Sequence, residues 1–272
     1  MKNPEKLTAV VLDWAGTTVD HGSLAPVRVL LHLFESHGVP ISEEEARRDM
    51  GVLKRDHIQK IISSSSVTER WRAKKGAVPT EQDVAAMFVE FIPLQLECLV
   101  RHSPIIDGIP ETVSTLRKRG IKIGSSTGYT REMMAVLAPA AAKNGYSPDA
   151  IVTPDDVGGG RPHPWMVFEN AIRLQIDSLS SIVKIGDTIS DIEEGINAGV
   201  WTVGVARTGN LVGMRAEEFA ALPSADQRSM LDRAHARLRE AGAHQVIDSV
   251  ADCAPTLDQI EQWLRSGRHP RD

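Results

Sequence analysis

The chain is poor in cysteine, in aromatic residues and in long apolar runs. Its only cysteines, Cys98 and Cys253, lie far apart without C-x-x-C spacing, so neither a disulfide framework nor a zinc site is signalled and both read as ordinary buried thiols. No stretch approaches the roughly 20 apolar residues that cross a bilayer. The amino terminus, MKNPEK, passes at once into the short run LTAVVL, which does not resemble a signal peptide. A soluble, cytoplasmic chain is expected. Excess positive charge is missing as well. A net charge of −5 sets the protein against phosphate backbones and anionic lipid, so the expectation is no nucleic acid, no membrane and a small-molecule partner.

What is present is enough apolar material, 42% of 272 residues, for one substantial core and a smaller second unit. Short runs rich in Val and Ile recur at 7–12, 121–124, 150–153, 182–185, 200–205 and 245–247, and read as strands buried on both faces. Helical stretches at 111–119, 132–143, 166–174 and 191–198 alternate with them, which calls for a parallel sheet with crossover helices. The fold class is α/β, a Rossmann-like doubly wound sheet. Between the first and second strands lie about a hundred residues with no comparable strand, far more than a crossover needs. Helix signals fill that interval: Ser42 with Glu45 forms a capping box, and Thr80 with Asp83 opens an amphipathic run through Val89 and Leu96. The reading is a core of 1–21 and 103–272 carrying a helical cap, 22–102, with hinge-like linkers near Gly22 and near Ser103 and Pro104.

Four motifs bear chemistry. VVLDWAGTTVD puts Asp13 just past a buried strand, at the carboxyl end where open parallel sheets bind ligands. IGSSTGYT ends a strand in Ser125, Ser126 and Thr127, whose hydroxyls and free N–H groups suit a phosphate oxygen. In GGGRPHPW, Arg161 follows three glycines that let the backbone approach a ligand, and a guanidinium is the natural partner of phosphoryl oxygens. VKIGDTISDIEEGINAG delivers Asp187 from a strand, with Asp191 one helical turn later, a pair of hard oxygen ligands of the kind Mg²⁺ takes in small numbers. Taken singly, a strand-end Asp such as Asp13 is more often a capping residue than a catalyst, Asp191 has helix capping as its plainer reading, and Arg161 reads equally as a surface residue on a flexible loop; the constellation is more specific than any member.

This order of strand ends resembles the haloacid dehalogenase superfamily, across the whole core. The resemblance implies that Asp13 is a nucleophile forming an aspartyl-phosphate. It also implies Mg²⁺ held by Asp13, the Ala15 carbonyl and Asp187, with Asp191 in support. Arg161 and Thr127, with Ser126 as a lesser candidate, would position the phosphoryl group, which is most of what phosphoryl transfer asks of a protein. One position departs from the pattern. The superfamily carries a second Asp two residues after the first to protonate a leaving alcohol, and here that residue is Ala15, which cannot act as an acid.

A P–C bond removes the need for that acid, because its leaving group is a carbanion that requires an electron sink instead. A lysine condensing with a substrate aldehyde supplies one as a protonated imine. The cap offers Lys54 in RRDMGVLKRDHIQK; neighbouring Arg55 reads as solvated decoration. With DWAGTTVD, MG-x-x-K-x-x-H, STGYTREMM, TPDDV-x-x-GRP-x-PW and GDT-x-SD-x-x-EG-x-NAG-x-WTVGV, the chain is similar to the phosphonoacetaldehyde hydrolase family up to Val205. The resemblance implies cleavage of phosphonoacetaldehyde to acetaldehyde and phosphate, with Lys54 as the Schiff-base lysine. Met50, His57 and Tyr129 would line the substrate pocket, His57 assisting proton transfers through water. Ser23, a cysteine in some relatives, receives no catalytic weight. A homodimer through the cap is also implied, although Leu30, Leu31, Leu33 and Phe34 read equally as cap core. From about Asn210 onward the matches weaken and the helices read as packing elements. Competing readings are a phosphate-ester phosphatase, a dehalogenase and a non-catalytic binding module.

Overall fold

Apolar segments buried on both faces pair into one sheet. The structure, a computed structural model, describes residues 6–102 and 104–272. Its strands are β1 (Ala9–Leu12), β2 (Lys122–Ser126), β3 (Ala150–Val152), β4 (Ile182–Gly186), β5 (Trp201–Val205) and β6 (Gln245–Ile247). They lie in the order β3-β2-β1-β4-β5-β6, and every pairing is parallel. Along β1 the side chains alternate: Val10 and Leu12 join one apolar cluster while Ala9 and Val11 join another on the opposite face. All six runs read from the sequence are therefore strands.

Between β1 and β2 the chain forms α1 (Leu24–Ser36), α2 (Glu43–Arg47), α3 (Lys54–Ser63), α4 (Ser65–Lys75) and α5 (Glu81–His102), then the crossover helix α6 (Ile109–Lys118). After β2 come α7 (Arg131–Lys143), α8 (Pro154–Val157), α9 (Trp165–Arg173), α10 (Ile189–Ala198), α11 (Ala216–Ala220), α12 (Ser224–Glu240) and α13 (Cys253–Arg265). The Ser42–Glu45 capping box is formed, and Thr80 is bonded to Asp83 at the start of α5. The amphipathic reading of α5 was misplaced in one respect: its buried side is Val84, Met87, Phe91 and Leu99, and Val89 stands 68% exposed. Leu30, Leu33 and Phe34 are buried within the chain. The apolar cluster that begins at Val10 and Leu12 runs on through Met50, Tyr129 and Met133 to Leu33, Ile58 and Phe91, so sheet and cap share one continuous core. Cys98 is only half-buried and Cys253 buried, both free.

The linkers run side by side. Val19 bridges Ile105 in antiparallel fashion, Asp20 N donates to the Pro104 carbonyl at 2.9 Å and Ile106 N to the Thr18 carbonyl at 3.0 Å; Ser103, the other proposed hinge residue, lies outside the described residues. The buried Asp20 carboxylate accepts from Ala25 N at 2.9 Å, tying this linker to the first turn of α1. Burial pushes the Asp20 carboxyl up to about 6, against backbone hydrogen bonds from Ala25 and Leu24. An acid raised in the fold is bound to its proton more tightly there than in the unfolded chain. Wild-type stability therefore falls as pH rises from about 4 to about 6, by up to roughly 3 kcal/mol. Asp20→Asn keeps an acceptor for Ala25 without the charge. Thermal melts are expected to show the variant gaining on wild type between pH 5 and pH 8; a constant difference would contradict this origin of the shift.

Candidate active site

The chain reverses its direction of sheet growth between β1 and β4, and open α/β sheets bind ligands at such a switch point. Asp13 leaves the end of β1, its N–H donating to the Ile185 carbonyl at 2.9 Å. Asp187 leaves β4 beside it, Oδ1 accepting from Thr17 Oγ1 at 3.2 Å and Oδ2 from Asn210 N at 2.7 Å. The loop after Asp13 fits against Asp187 because Gly16 has φ +81° and no Cβ; a Cβ there would run into the Asp187 carboxylate. Asp191 is N3 of α10 in a capping box with Thr188, and it also reaches Lys184 Nζ at 2.6 Å and Arg161 Nη2 at 3.0 Å. Asp191 thus caps α10 and, with the same carboxylate, faces Arg161 and Lys184.

One carboxylate oxygen from each of Asp13, Asp187 and Asp191 lies within 4.8 Å of the others, and all three groups are buried. Burial, then the charges of Asp13 and Asp191, pushes Asp187 well above the usual carboxylate range. Burial also raises Asp13, against the pull of Arg161. Despite its burial, Asp191 is held below that range by Arg161 and Lys184. With buried Glu194, four carboxylates face two buried cations, Arg161 and Lys184. An all-oxygen donor set suits a hard divalent cation. The Asp triad could therefore hold a metal.

Arg161 ties the site together. Its Nη2 donates to Asp13 Oδ1 at 2.7 Å and to the Ser126 carbonyl at 2.8 Å, Nη1 to the Gly51 carbonyl in the cap at 3.2 Å, and Nε to Glu194 Oε2 at 3.1 Å. Of the three glycines before it, Gly158 ends α8 at φ +74° and the other two are set by packing. A Cβ on Gly159 would press on the Trp165 ring, and one on Gly160 would meet Leu53 at 3.1 Å. Ser126 donates its hydroxyl to Glu194 at 2.9 Å and accepts from Arg161 at 3.0 Å, whereas Thr127 lines the cavity and accepts from Tyr129 N at 3.1 Å.

Above Asp13 the cap and core enclose a cavity of about 20 Å³, room for roughly one water. Asp13, Ala15, Met50, Lys54, Thr127, Tyr129 and Arg161 line it, and so does Ser23. Lys54, at the start of α3 and 3% exposed, points its Nζ at Met50 Sδ, 3.7 Å away, and over the Tyr129 ring, 5.4 Å from its centre. Desolvation lowers its amine to about 8, the Asp13 charge opposing and Arg161 assisting. His57, one turn along α3, is fully buried but does not line the cavity. Neither ring nitrogen meets a hydrogen-bond partner among the described residues, the Ala46 main chain approaching without suitable geometry. Burial, then the nearby Lys54 charge, holds its imidazole well below the ordinary histidine range. Tyr129 OH likewise has no partner. Arg55 pairs with Glu81 at the surface.

Sequence reasoning missed the residues that seat the cap. Met50 and Gly51 dock on the core through Ser190 Oγ, which donates to the Met50 carbonyl at 3.1 Å, and through the Arg161 bond to Gly51. Gly51, at φ +94°, lies so close to Thr188 and Ser190 that a Cβ would strike both hydroxyls. Arg47 of α2 donates to the carbonyls of Gly22 at 2.9 Å and Gly213 at 3.0 Å and to Asn210 Oδ1 at 3.1 Å, while Asn210 Nδ2 donates back to the Arg47 carbonyl at 3.1 Å. Asn210, read as the start of a packing segment, thus links the cap to Asp187. With this latch removed, Arg47→Ala is expected to speed amide exchange across 19–23 by about tenfold or more, with β1 and β4 unaffected. Unchanged exchange in that linker would rule out the latch.

A family model described as haloacid dehalogenase-like hydrolase matches residues 7–199. A phosphonoacetaldehyde hydrolase of Nitratidesulfovibrio vulgaris is 48% identical over 262 residues, covering 96% of this chain and 94% of that protein. One from Syntrophobacter fumaroxidans is 45% identical over 262 residues, covering 96% and 95%. The crystal structure of a phosphonoacetaldehyde hydrolase-like protein from Oleispira antarctica superposes with a TM-score of 0.95 at 40% identity, over 97% of this chain and 96% of that one. With these relatives matched along nearly their whole length and the strand-end acids in place, the chain belongs to the haloacid dehalogenase-like hydrolases and, among them, to the phosphonoacetaldehyde hydrolase family.

Proposed function

We propose that the protein hydrolyses the P–C bond of phosphonoacetaldehyde to give acetaldehyde and phosphate. One observation carries this reading: a buried lysine amine and a strand-end aspartate line the same small cavity, at a site with Ala15 where an ester hydrolase needs an acid. The Lys54 amine adds to the aldehyde and loses water to give a protonated imine. Asp13 then attacks phosphorus, and the electrons of the P–C bond pass through carbon into the imine, leaving an enamine and an aspartyl-phosphate. Protonation of the enamine carbon and hydrolysis of the imine return Lys54 and release acetaldehyde. Water cleaves the aspartyl-phosphate to phosphate. No alcohol leaves, so Ala15 costs nothing.

Each remaining residue has work in this scheme. Arg161 and Thr127 bind the phosphoryl oxygens, with Ser126 supporting Arg161 from behind. Met50 and Tyr129 keep the amine in an apolar setting; His57, walled off from the cavity here, would relay protons through water only once the cap opens. Asp13, the Ala15 carbonyl and Asp187 would hold Mg²⁺, with Asp191 supporting. When bound, the ion supplies positive charge that offsets repulsion between nucleophile and phosphonate. The cavity is smaller than the substrate, so the cap, taken as 22–102 on a core of 1–21 and 103–272, lifts to admit it and closes for chemistry. The same reading takes the chain as a cytoplasmic homodimer. Because Leu30, Leu33 and Phe34 are committed to the chain's own core, the dimer contact falls to other cap residues.

Only the neutral amine adds to an aldehyde. With Lys54 at about 8, roughly a tenth is neutral at pH 7, against under about a thousandth for an ordinary lysine. Release of phosphate and acetaldehyde from phosphonoacetaldehyde is expected to rise with pH through a midpoint near 8. Lys54→Arg should lower it by about 10³-fold or more, and a variant that keeps its activity, above all on a phosphate ester, would favour an ordinary phosphatase. Chelation is expected to abolish turnover and added Mg²⁺ to restore it; activity indifferent to chelator would remove the metal from the account.

A further inference from the structure

We propose that Glu194 is a positioning residue for the phosphoryl-transfer half of the reaction, acting through Arg161. The inference rests on the function proposed above. Glu194 belongs to α10 and is fully buried, a placement that is unfavourable for a carboxylate unless cations and donors meet it. Its Oε2 meets three: Arg161 Nε at 3.1 Å, Ser126 Oγ at 2.9 Å and Lys184 Nζ at 3.5 Å. Oε1 has no partner among the described residues, so the group's bonds gather on the side facing Arg161.

The geometry explains why this site uses arginine and what the glutamate adds. A guanidinium is planar and donates along fixed directions. At Arg161 those directions are divided among separate elements: Nη2 to Asp13 just past β1, to Asp191 on α10 and to the Ser126 carbonyl at the end of β2, Nη1 to the cap carbonyl of Gly51, and Nε to Glu194. Asp13 and Asp191 both draw the same Nη2 edge. Left to them, the guanidinium would close onto the nucleophile and shield the oxygen that must attack phosphorus. Glu194 holds the neighbouring Nε–H, and the Ser126 hydroxyl bridges the two groups, donating to Glu194 and accepting from Arg161 Nη2, so the guanidinium is fixed along its Nε–Nη2 edge and cannot swing further onto Asp13. Lys184 balances the acid from β4. Arg161 is therefore shared between Asp13 and an arriving phosphoryl group, and Glu194 sets that sharing. A lysine at 161 has no Nε–H to hold.

The two half-reactions separate this role from a general loss of structure, because the Lys54 amine forms the imine and neither Glu194 nor Ser126 touches it. In Glu194→Gln, kcat for phosphate release is expected to fall by about 10- to 100-fold with KM within about threefold of wild type. The borohydride-trapped adduct at Lys54 should form at wild-type yield. In an Arg161→Lys background, which lacks the Nε–H, the same substitution should cost less than about twofold. An equal loss in both backgrounds, a loss of the Lys54 adduct in step with phosphate release, or no loss at all would each overturn the proposal. Should Glu194→Gln not fold, Ser126→Ala decides. A smaller drop in kcat that disappears with Arg161→Lys supports the tether, and an unchanged kcat overturns it. Absence of any Lys54 adduct in the wild-type protein would instead defeat the proposed function.

Discussion

Negative charge buried at the carboxyl ends of β1 and β4 governs this molecule. Asp13, Asp187 and Asp191 lie within reach of one another, and with Glu194 they are out of water, where like charges repel strongly and desolvation is costly. Arg161 and Lys184 both pair with Asp191 and Glu194, and Arg161 also with Asp13. The capping box of α10 adds the Thr188 N–H and hydroxyl to Asp191, and the loop at Asn210 adds a backbone N–H to Asp187. Such a cluster is stable only when its geometry is well satisfied, and it offers strong attraction to a divalent cation and to the arginine-bound face of a phosphoryl group.

The cap completes the site by treating one cation differently. Lys54 is buried like Arg161, but among the described residues it forms no ion pair; its neighbours are a thioether and the face of a tyrosine. Desolvation therefore moves it toward the neutral amine, whereas Arg161, surrounded by carboxylates, is driven further toward its charged form. The two roles need the same enclosed cavity, and its closure depends on contacts that cross between cap and core: Arg47 with Asn210 and Gly213, Ser190 with Met50, and Arg161 with Gly51. Arg161 thus bonds the cap while it holds Asp13.

Much of the fold was legible because a strand buried on both faces leaves an unbroken apolar run, and a parallel sheet spaces such runs with helices. Asp13, Lys54, Arg161 and Asp187 were legible because strand ends and one cap motif bring distinctive residue types into a recognisable order. What remained hidden has a common cause in contacts between residues far apart in the chain. Glu194 sits in the pair Glu193-Glu194, which looks like a solvated helix face until α10 is laid on the sheet and one of the two is buried against Arg161. Arg47 stands among the glutamates of α2 with no motif to set it apart, and Asn210 lies where the family motifs fade. Val89 misled for the opposite reason: its spacing fits a helix, but periodicity alone does not say which stripe faces inward.

The central claim is that Lys54 and Asp13 act on the same substrate molecule, one on its carbon and the other on its phosphorus. The most direct measurement is borohydride reduction of the wild-type protein during incubation with phosphonoacetaldehyde, followed by peptide mapping by mass spectrometry. The account predicts a reduced adduct confined to Lys54 among the lysines of the chain. No adduct, or one spread over surface lysines, while the protein still hydrolyses phosphate esters would contradict it and leave Asp13 serving an ordinary phosphatase.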